Sequence, residues 1–335
     1  MKRSIIPVFV PHQGCPNDCV FCNQKTITGQ NFLVNGSMVE SKINEYLKTI
    51  PADNFKEVAY FGGSFTGIDV DLQKELLNPA KAFKKNKLIQ GIRLSTRPDY
   101  ISQPILDLLA DYLVDTIELG VQSLDDSVLT RSKRGHKVSD VIKAVDLIKQ
   151  NSFQLGLQLM LGLPGEDAAS FLASVEKTIK LKPDFVRIYP TIILRGTELA
   201  DMYLNNIYQP LSLAEAVDLA LLAWKRFQEE GIPIIRLGLQ ATEDLNPQNI
   251  LAGPYHPAFR ELVENAFFRE KISSYLAADS DIKNLLLEVN PVSVSKVVGQ
   301  KKSNIIYWQK SCQVNKIKIV TNEDIGIWNV KATPF

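Results

Sequence analysis

Apolar positions along the first 190 residues alternate between two periods, short continuous runs and helical stripes. Residues 4–10, Ser-Ile-Ile-Pro-Val-Phe-Val, read as a buried strand despite Pro7. Met38, Ile43, Tyr46, Leu47 and Ile50 then fall at helical spacing behind a Ser37 cap, predicting a helix over 37–50. Strands are expected at 56–61, 89–95, 116–121, 154–161 and 185–189. Helices are expected between them, at about 70–86, 102–112, 139–150 and 168–181. Six strands alternating with helices predict a parallel α/β architecture. Each strand ends in a Gly-rich or polar motif, as in barrels that carry their active sites at strand C-termini. A doubly wound sheet would gather ligands at one switch point instead. The expectation is therefore a partial (β/α)6 TIM-type barrel, open on one side.

Beyond the sixth strand, residues 212–230 predict an amphipathic helix capped by Ser212, and 232–239 a further strand-like run. Residues 241–257 are rich in loop signals (Asn246-Pro247, Gly253-Pro254, His256-Pro257) and suggest a boundary or lid. A helix is expected over 258–277. The tail then reads strand 284–289, helix 291–298, turn, helix 303–311 and strand 315–321. Three units follow: a barrel over 1–240, a loop and helical extension over 241–282, and a small α/β module over 283–335.

Composition changes this picture in one place. The whole chain carries a net charge of only +1. Residues 283–335 nevertheless hold eight lysines against three acids, leaving about −4 for the rest by difference. The N-terminus is too short and proline-broken for a signal peptide, and no apolar run reaches membrane-spanning length. Four cysteines, three of them clustered, are no disulfide framework. A cytoplasmic protein with no membrane partner is expected.

The chemistry centres on residues 12–25, where Cys15, Cys19 and Cys22 give the spacing C-x3-C-x2-C. Structural zinc prefers four ligands in two knuckles, and the one other cysteine, Cys312, is far along the chain. A cubane 4Fe–4S cluster on three thiolates leaves one iron without a protein ligand, and the spacing suits it. With Phe21 the run becomes C-x3-C-x-aromatic-C, which resembles the signature of the radical S-adenosylmethionine (radical SAM) superfamily. The resemblance implies that the open iron chelates SAM and that one-electron cleavage releases a 5′-deoxyadenosyl radical. Such a low-potential centre implies a reducing cytosol and an electron donor such as flavodoxin or ferredoxin.

Gly62-Gly63-Ser64-Phe65 ends the second strand, and paired glycines let a charged amino-acid head approach the backbone. Beside the cysteine segment, these residues are expected to take the methionine part of SAM. Ser95 ends the third strand and joins the expected cofactor contacts. Gln122, Ser123 and Gln158 stand where they could bond ribose or adenine, although Gln158 equally fits a satisfied polar group in the barrel core. The Gly162-Leu163-Pro164-Gly165 turn could bring backbone beside the adenine, or be a turn alone. Arg131, Lys133, Arg134, His136 and Lys137 form a basic cluster after the fourth strand, either a solvated helix end or a phosphate or carboxylate site at the barrel mouth.

Gly62-Gly63-Ser64-Phe65, Thr96-Arg97-Pro98-Asp99, Glu118 through Ser123, Arg134-Gly135-His136, Leu161 through Gly165, and Tyr189-Pro190-Thr191 through Leu199 run in one order. That order resembles the radical SAM core of the Elongator catalytic subunit family over roughly residues 5–240. The resemblance implies a radical SAM barrel and chemistry on the wobble uridine of tRNA, with Arg134, His136 and Tyr189 as substrate candidates. Nothing after the core looks like that family's acetyltransferase domain, so the family's activity is not carried over whole. Anaerobic coproporphyrinogen oxidases share the Gly-Val-Gln-Ser and Arg-Gly-His type of segment and offer a small-molecule alternative.

In the tail, Val297 through Ile305 resembles the clamp loop of a KH-type RNA-binding module. Lys302 stands where that loop would carry its second glycine, and Lys301 and Lys302 become RNA candidates. The same segment fits a small cap closing the barrel. An alternative of another class is an iron–sulfur RNA-binding or assembly protein without turnover.

Overall fold

The structure, a computed structural model, describes residues 2–10, 15, 19–22, 34–239, 248–279 and 281–335. Most of the cysteine-bearing segment and residues 241–247 of the expected lid lie outside the described residues.

The alternation of apolar runs and amphipathic stretches gives β1 (Arg3–Val10), α1 (Gly36–Leu47), β2 (Phe55–Gly62), α2 (Val70–Lys85), β3 (Gly91–Thr96) and α3 (Gln103–Asp111). There follow β4 (Thr116–Gln122), α4 (Asp126–Arg131), α5 (Val138–Gln150), β5 (Gln154–Leu161), α6 (Ala168–Lys180) and β6 (Phe185–Pro190). The six strands pair in sequence order, all parallel. Two differences from the expected elements have local causes. The first helix is capped by Asn35, whose side chain accepts from the Met38 amide, rather than by Ser37. It also stops at Leu47, before Ile50.

Past β6 come β7 (Ile193–Leu194), α7 (Glu198–Leu204), α8 (Leu213–Glu229) and β8 (Ile234–Leu237). Ser212 caps α8 as expected, in a reciprocal arrangement with Glu215. β8 pairs parallel with β6, so the curled half-barrel sheet gains a seventh strand, with β1 and β8 as its two edges. In the stretch expected to be only loop, β9 (Ile250–Ala252) pairs antiparallel with β7.

The remaining elements are α9 (Phe259–Ala277), β10 (Asn284–Val289), α10 (Val294–Val298), α11 (Ser303–Ser311), β11 (Lys316–Thr321) and β12 (Val330–Pro334). β10 lies between parallel β11 and antiparallel β12, a strand the sequence did not signal. The expected helix over 291–298 is a 3-10 turn at Pro291–Ser293 leading into α10. α9 serves two cores. Phe259, Val263 and Ala266 pack with the barrel, and Phe268, Ile272 and Leu276 with the C-terminal sheet. Trp224 of α8 meets Phe267 and Trp328 edge-on, each with ring centroids 4.8 Å apart, which ties the module to the barrel. Such pairs contribute about 0.5–1.5 kcal/mol each beyond their buried area. Among the described residues, no helix is long and apolar enough to cross a membrane.

Candidate active site

The cavity that matters lies at the C-terminal ends of β1 to β5 and has a volume of about 260 Å³. Parallel strands put their carboxyl ends on one side, where loops can gather polar groups. Cys15, Cys19, Phe21 and Cys22, from the segment after β1, line one wall. Gly62, Gly63 and Ser64 line the next, followed by Ser95, Thr96 and Arg97 at the end of β3. β4 contributes Glu118, Leu119, Gly120 and Gln122, and β5 contributes Gln158 and Met160. Arg134 completes the lining.

The walls are cross-linked by hydroxyls. Ser64 Oγ lies 2.8 Å from Thr96 Oγ1 and accepts from the Arg97 amide at 3.2 Å. Thr66 Oγ1 lies 2.6 Å from the same threonine hydroxyl. Gly62 has φ +114°, and a Cβ there would stand 2.3 Å from the Val10 carbonyl oxygen. The Gly63 amide donates to that carbonyl at 3.2 Å. The glycine pair thus lets β2 turn against the chain just before the cysteines.

Two buried guanidinium groups face the thiol wall. Arg134 donates to Cys19 Sγ at 3.5 Å and to the Gly120 carbonyl at 2.7 Å. Arg97 makes a forked pair with Asp99, both bonds 2.9 Å. Burial opposes the charge of Arg97, but Asp99 and then the nearby Cys15 and Cys19 sulfurs hold it, and its pKa is raised. Arg97 Nη1 and Arg134 Nε are buried and meet no hydrogen-bond acceptor among the described residues. Buried donors of this kind call for an anionic or acceptor group. Gln158 donates to Gln122 Oε1 at 2.9 Å, and Gln122 sits at a β4 bulge with φ +69°.

Below the cavity, ions cross the concave face of the sheet. Arg93 pairs with Glu57 at 3.0 Å and with Glu118. Glu118 pairs in turn with Arg187 of β6, at 3.0 Å. Gly156 keeps this crowded layer open, since a Cβ there would stand 2.3 Å from the Phe185 ring and 3.0 Å from Glu118.

Several expected site residues lie elsewhere. Phe65 is buried in the core, its ring 5.0 Å from that of Tyr60. Ser123 is fully buried beneath α6, its hydroxyl 3.3 Å from Ser174 Oγ, because the β4 bulge turns it away from the cavity. Gly162, Leu163 and Pro164 do not line the cavity. The amides of Gly162 and Leu163 are held by Glu166 Oε2 at 2.8 and 3.3 Å, and Tyr208 donates to the Gly162 carbonyl. The basic cluster disperses. Lys133 pairs with Glu198, Arg131 packs beside Gly165, and His136 is buried behind Arg134. Burial, then Arg134 and Arg97, press the His136 pKa down to about 4. Tyr189 is half-buried, with its hydroxyl 3.3 Å from Arg187 Nη1. Lys301 and Lys302 are exposed on the C-terminal module, away from the cavity lining. Arg97 and Glu118 went unassigned, although a charged residue inside an apolar strand or at its end was a usable signal.

The donor set fits an iron–sulfur cubane. Among the described residues, no three His, Cys, Asp or Glu side chains are grouped to hold a single metal ion. A cubane takes its three thiolates on three different irons. The unpartnered donors of Arg97 and Arg134 suit the negative charge that such a group and its ligand bring.

Residues 9–178 match the family model of the Radical SAM superfamily, and residues 183–269 match that of the Radical_SAM C-terminal domain. The chain belongs to the radical SAM superfamily, enzymes that use a 4Fe–4S cluster and S-adenosylmethionine. It is similar to the tRNA uridine(34) acetyltransferase of Methanocaldococcus jannaschii, 25% identical over 256 residues, covering 64% of this chain and 47% of that protein. It is also similar to the oxygen-independent coproporphyrinogen-III oxidase-like protein HemZ of Bacillus subtilis, 29% identical over 207 residues, covering 58% of this chain and 40% of that one. The chain thus spans less than half the length of these two relatives. Among solved structures, the Methanocaldococcus infernus Elp3 with an N-terminal deletion superposes with TM-score 0.65 at 23% identity, covering 81% of this chain and 64% of that one. The likeness to Elp3 is one of fold.

Proposed function

We propose that this radical SAM enzyme modifies a nucleoside in RNA, with tRNA as its substrate class. Cys15, Cys19 and Cys22 would hold the cluster, and Gly62, Gly63, Ser64, Gln122 and Gln158 would bind SAM. The observation that carries the cofactor assignment is that all these residues line one cavity beside two buried, incompletely bonded arginines. Bound there, the cluster and SAM supply a 5′-deoxyadenosyl radical for hydrogen abstraction at the barrel mouth.

The protein's own part is positioning and charge. Gly62 lets β2 close against the Val10 carbonyl, Gly63 lines the cavity without a side chain, and the Ser64–Thr96 hydroxyl pair fixes that turn to β3. Arg134, in contact with Cys19, offsets the negative charge of three thiolates. The Gln122–Gln158 amide pair offers hydrogen bonds to ribose or adenine. The half-barrel wall excludes water on the helix side and leaves the β1–β8 edge for the substrate.

The similarity to tRNA uridine(34) acetyltransferases supports RNA as the substrate. The similarity to HemZ supports a second reading, a small tetrapyrrole-type substrate. Anaerobic turnover with SAM, a flavodoxin or ferredoxin donor and total tRNA, followed by nucleoside mass spectrometry, tests the first. A new modified nucleoside is expected. Release of 5′-deoxyadenosine stimulated by coproporphyrinogen, with every nucleoside unchanged, would favour the second.

A further inference from the structure

The concave face of the sheet carries a surface that the cofactor cavity does not use. On β1, Ile6, Val8 and Val10 are buried in the core beneath the helices. Strand alternation therefore turns Phe9 to the opposite, concave face, where it is 60% exposed. It stands in register with Phe61 of β2, with ring centroids 6.4 Å apart. Arg187 reaches from β6 across the barrel to lie 5.4 Å from the Phe61 ring, and its Nη1 donates to the Tyr189 hydroxyl at 3.3 Å. Arg236 of β8 occupies the register position beside Arg187. The ion network on this face holds three arginines (Arg3, Arg93, Arg187) against two glutamates (Glu57, Glu118), an excess of one positive charge.

An exposed phenyl ring lying in a concavity beside a second ring, which a guanidinium covers in turn, matches what a stacked base needs. A base stacks on an aromatic face regardless of its identity, and Arg187, held by Glu118 and Tyr189, backs the second ring. None of these groups lines the cofactor cavity, although Phe61 precedes Gly62 and Tyr189 is in register with Met160, and both Gly62 and Met160 line it. We propose that Phe9 and Phe61, backed by Arg187 and Tyr189, form the seat of the substrate nucleotide, with the target base stacked on Phe9. This inference rests on the RNA reading above and names the residues that would hold the base.

The test uses the anaerobically reconstituted protein with SAM and a fluorescein-labelled tRNA anticodon stem–loop. Anisotropy gives the affinity of the wild type, Phe9→Ala, Phe9→Tyr and Phe9→Trp, and thermal melting checks that each variant is folded. Phe9→Ala should bind roughly tenfold more weakly, while Phe9→Tyr stays within about twofold. In Phe9→Trp, the added indole emission, read against the three native tryptophans, should be quenched at saturating unlabelled stem–loop. Wild-type affinity in Phe9→Ala, or unquenched emission in Phe9→Trp at saturation, would overturn the seat while leaving RNA as the substrate. Failure of the wild type to bind the stem–loop would remove the RNA reading, and the seat with it. Quenching by coproporphyrinogen alone would assign the surface to a tetrapyrrole instead.

Discussion

The guanidinium of Arg187, on β6, lies 5.4 Å from the ring of Phe61, on β2. Residues on strands so far apart in the sheet meet only because the sheet curls. Glu118 sits between them, bound to Arg187 on one side and Arg93 on the other. Removing it leaves Arg187, 15% exposed, without its carboxylate, and Arg93, 1% exposed, with Glu57 alone. Breaking a buried ion pair from one side costs about 3–5 kcal/mol. Urea denaturation of Glu118→Ala should show a loss of this order, and Glu118→Gln a smaller one. A loss under about 1 kcal/mol would mean that water reaches the arginines.

The thiol wall makes a sharper claim. Reconstituted protein should hold about four irons per chain. Cys15→Ala, Cys19→Ala and Cys22→Ala should each lose the cluster, whereas Cys312→Ala, in the C-terminal module, should keep it. Iron and sulfide analysis with the visible absorption band reads the outcome. A full cluster in Cys19→Ala would refute the ligand assignment.

Gly62 couples the two halves of the cavity. Its φ of +114° and the 2.3 Å that a Cβ would leave to the Val10 carbonyl exclude a side chain without displacing β1. Gly62→Ala should cost about 1–3 kcal/mol of stability and weaken SAM binding, because the cysteine segment leaves from Val10. Calorimetric titration with SAM measures the second effect. Unaltered SAM affinity would mean that the glycine serves strand packing only.

Much of this site was legible because spacing and strand ends carry it. The cysteine triplet, the Gly62-Gly63-Ser64 turn, Ser95, Gln122 and Gln158 were readable in order, and they converge on one cavity. Ser123 was misjudged for a definite reason. Counting from the end of a strand assumes strict alternation, and the bulge between Gly120 and Gln122 breaks it. Curvature was not readable at all. No local pattern says that Arg187 will reach Phe61, or that Ile193–Leu194 will pair with Ile250–Ala252. Phe9 looked like one more apolar residue of a buried strand until the sheet gave it a face.

Two groups near the cavity give stability opposed pH dependences. Burial raises the Glu166 carboxyl from 4.5 to about 8, against two backbone amides and Ser123 that favour the anion. Its contribution is complete below pH 4.5 and is lost as pH rises toward 8. The lowered His136 works the other way, complete above pH 6.5 and lost as pH falls toward 4. Between pH 4.5 and 6.5 the two slopes oppose each other, so the urea midpoint should be flat there and fall on both sides. Glu166→Gln should remove the alkaline fall, a difference of about 2 kcal/mol between pH 6.5 and 8.5. An equally steep alkaline fall in that variant would exclude Glu166 as its source.

The C-terminal module is where a basic surface and an unusual backbone coincide. Gly299, Lys301 and Lys302 all have positive φ, at 76°, 50° and 63°, between α10 and α11. Lysine rarely accepts that conformation, and two in succession present their side chains from a tight turn. The turn is buttressed from below, since Asn304 donates to the carbonyls of Val297 and Asn265. An RNA backbone held there would leave the target nucleotide free to enter the barrel from its open edge. Each phosphate contact releases counterions, so affinity should fall steeply with salt. Lys301→Glu with Lys302→Glu should weaken tRNA binding more than tenfold, about 1.4 kcal/mol or more. Lys301→Gly with Lys302→Gly separates charge from strain. It removes both ammonium groups while relieving the left-handed backbone, so it should weaken binding yet not lower the melting temperature. A module that only caps the barrel predicts unchanged tRNA affinity in both double variants. Filter binding at two salt concentrations decides, and salt-independent binding by the wild type would end the proposal that this turn grips RNA.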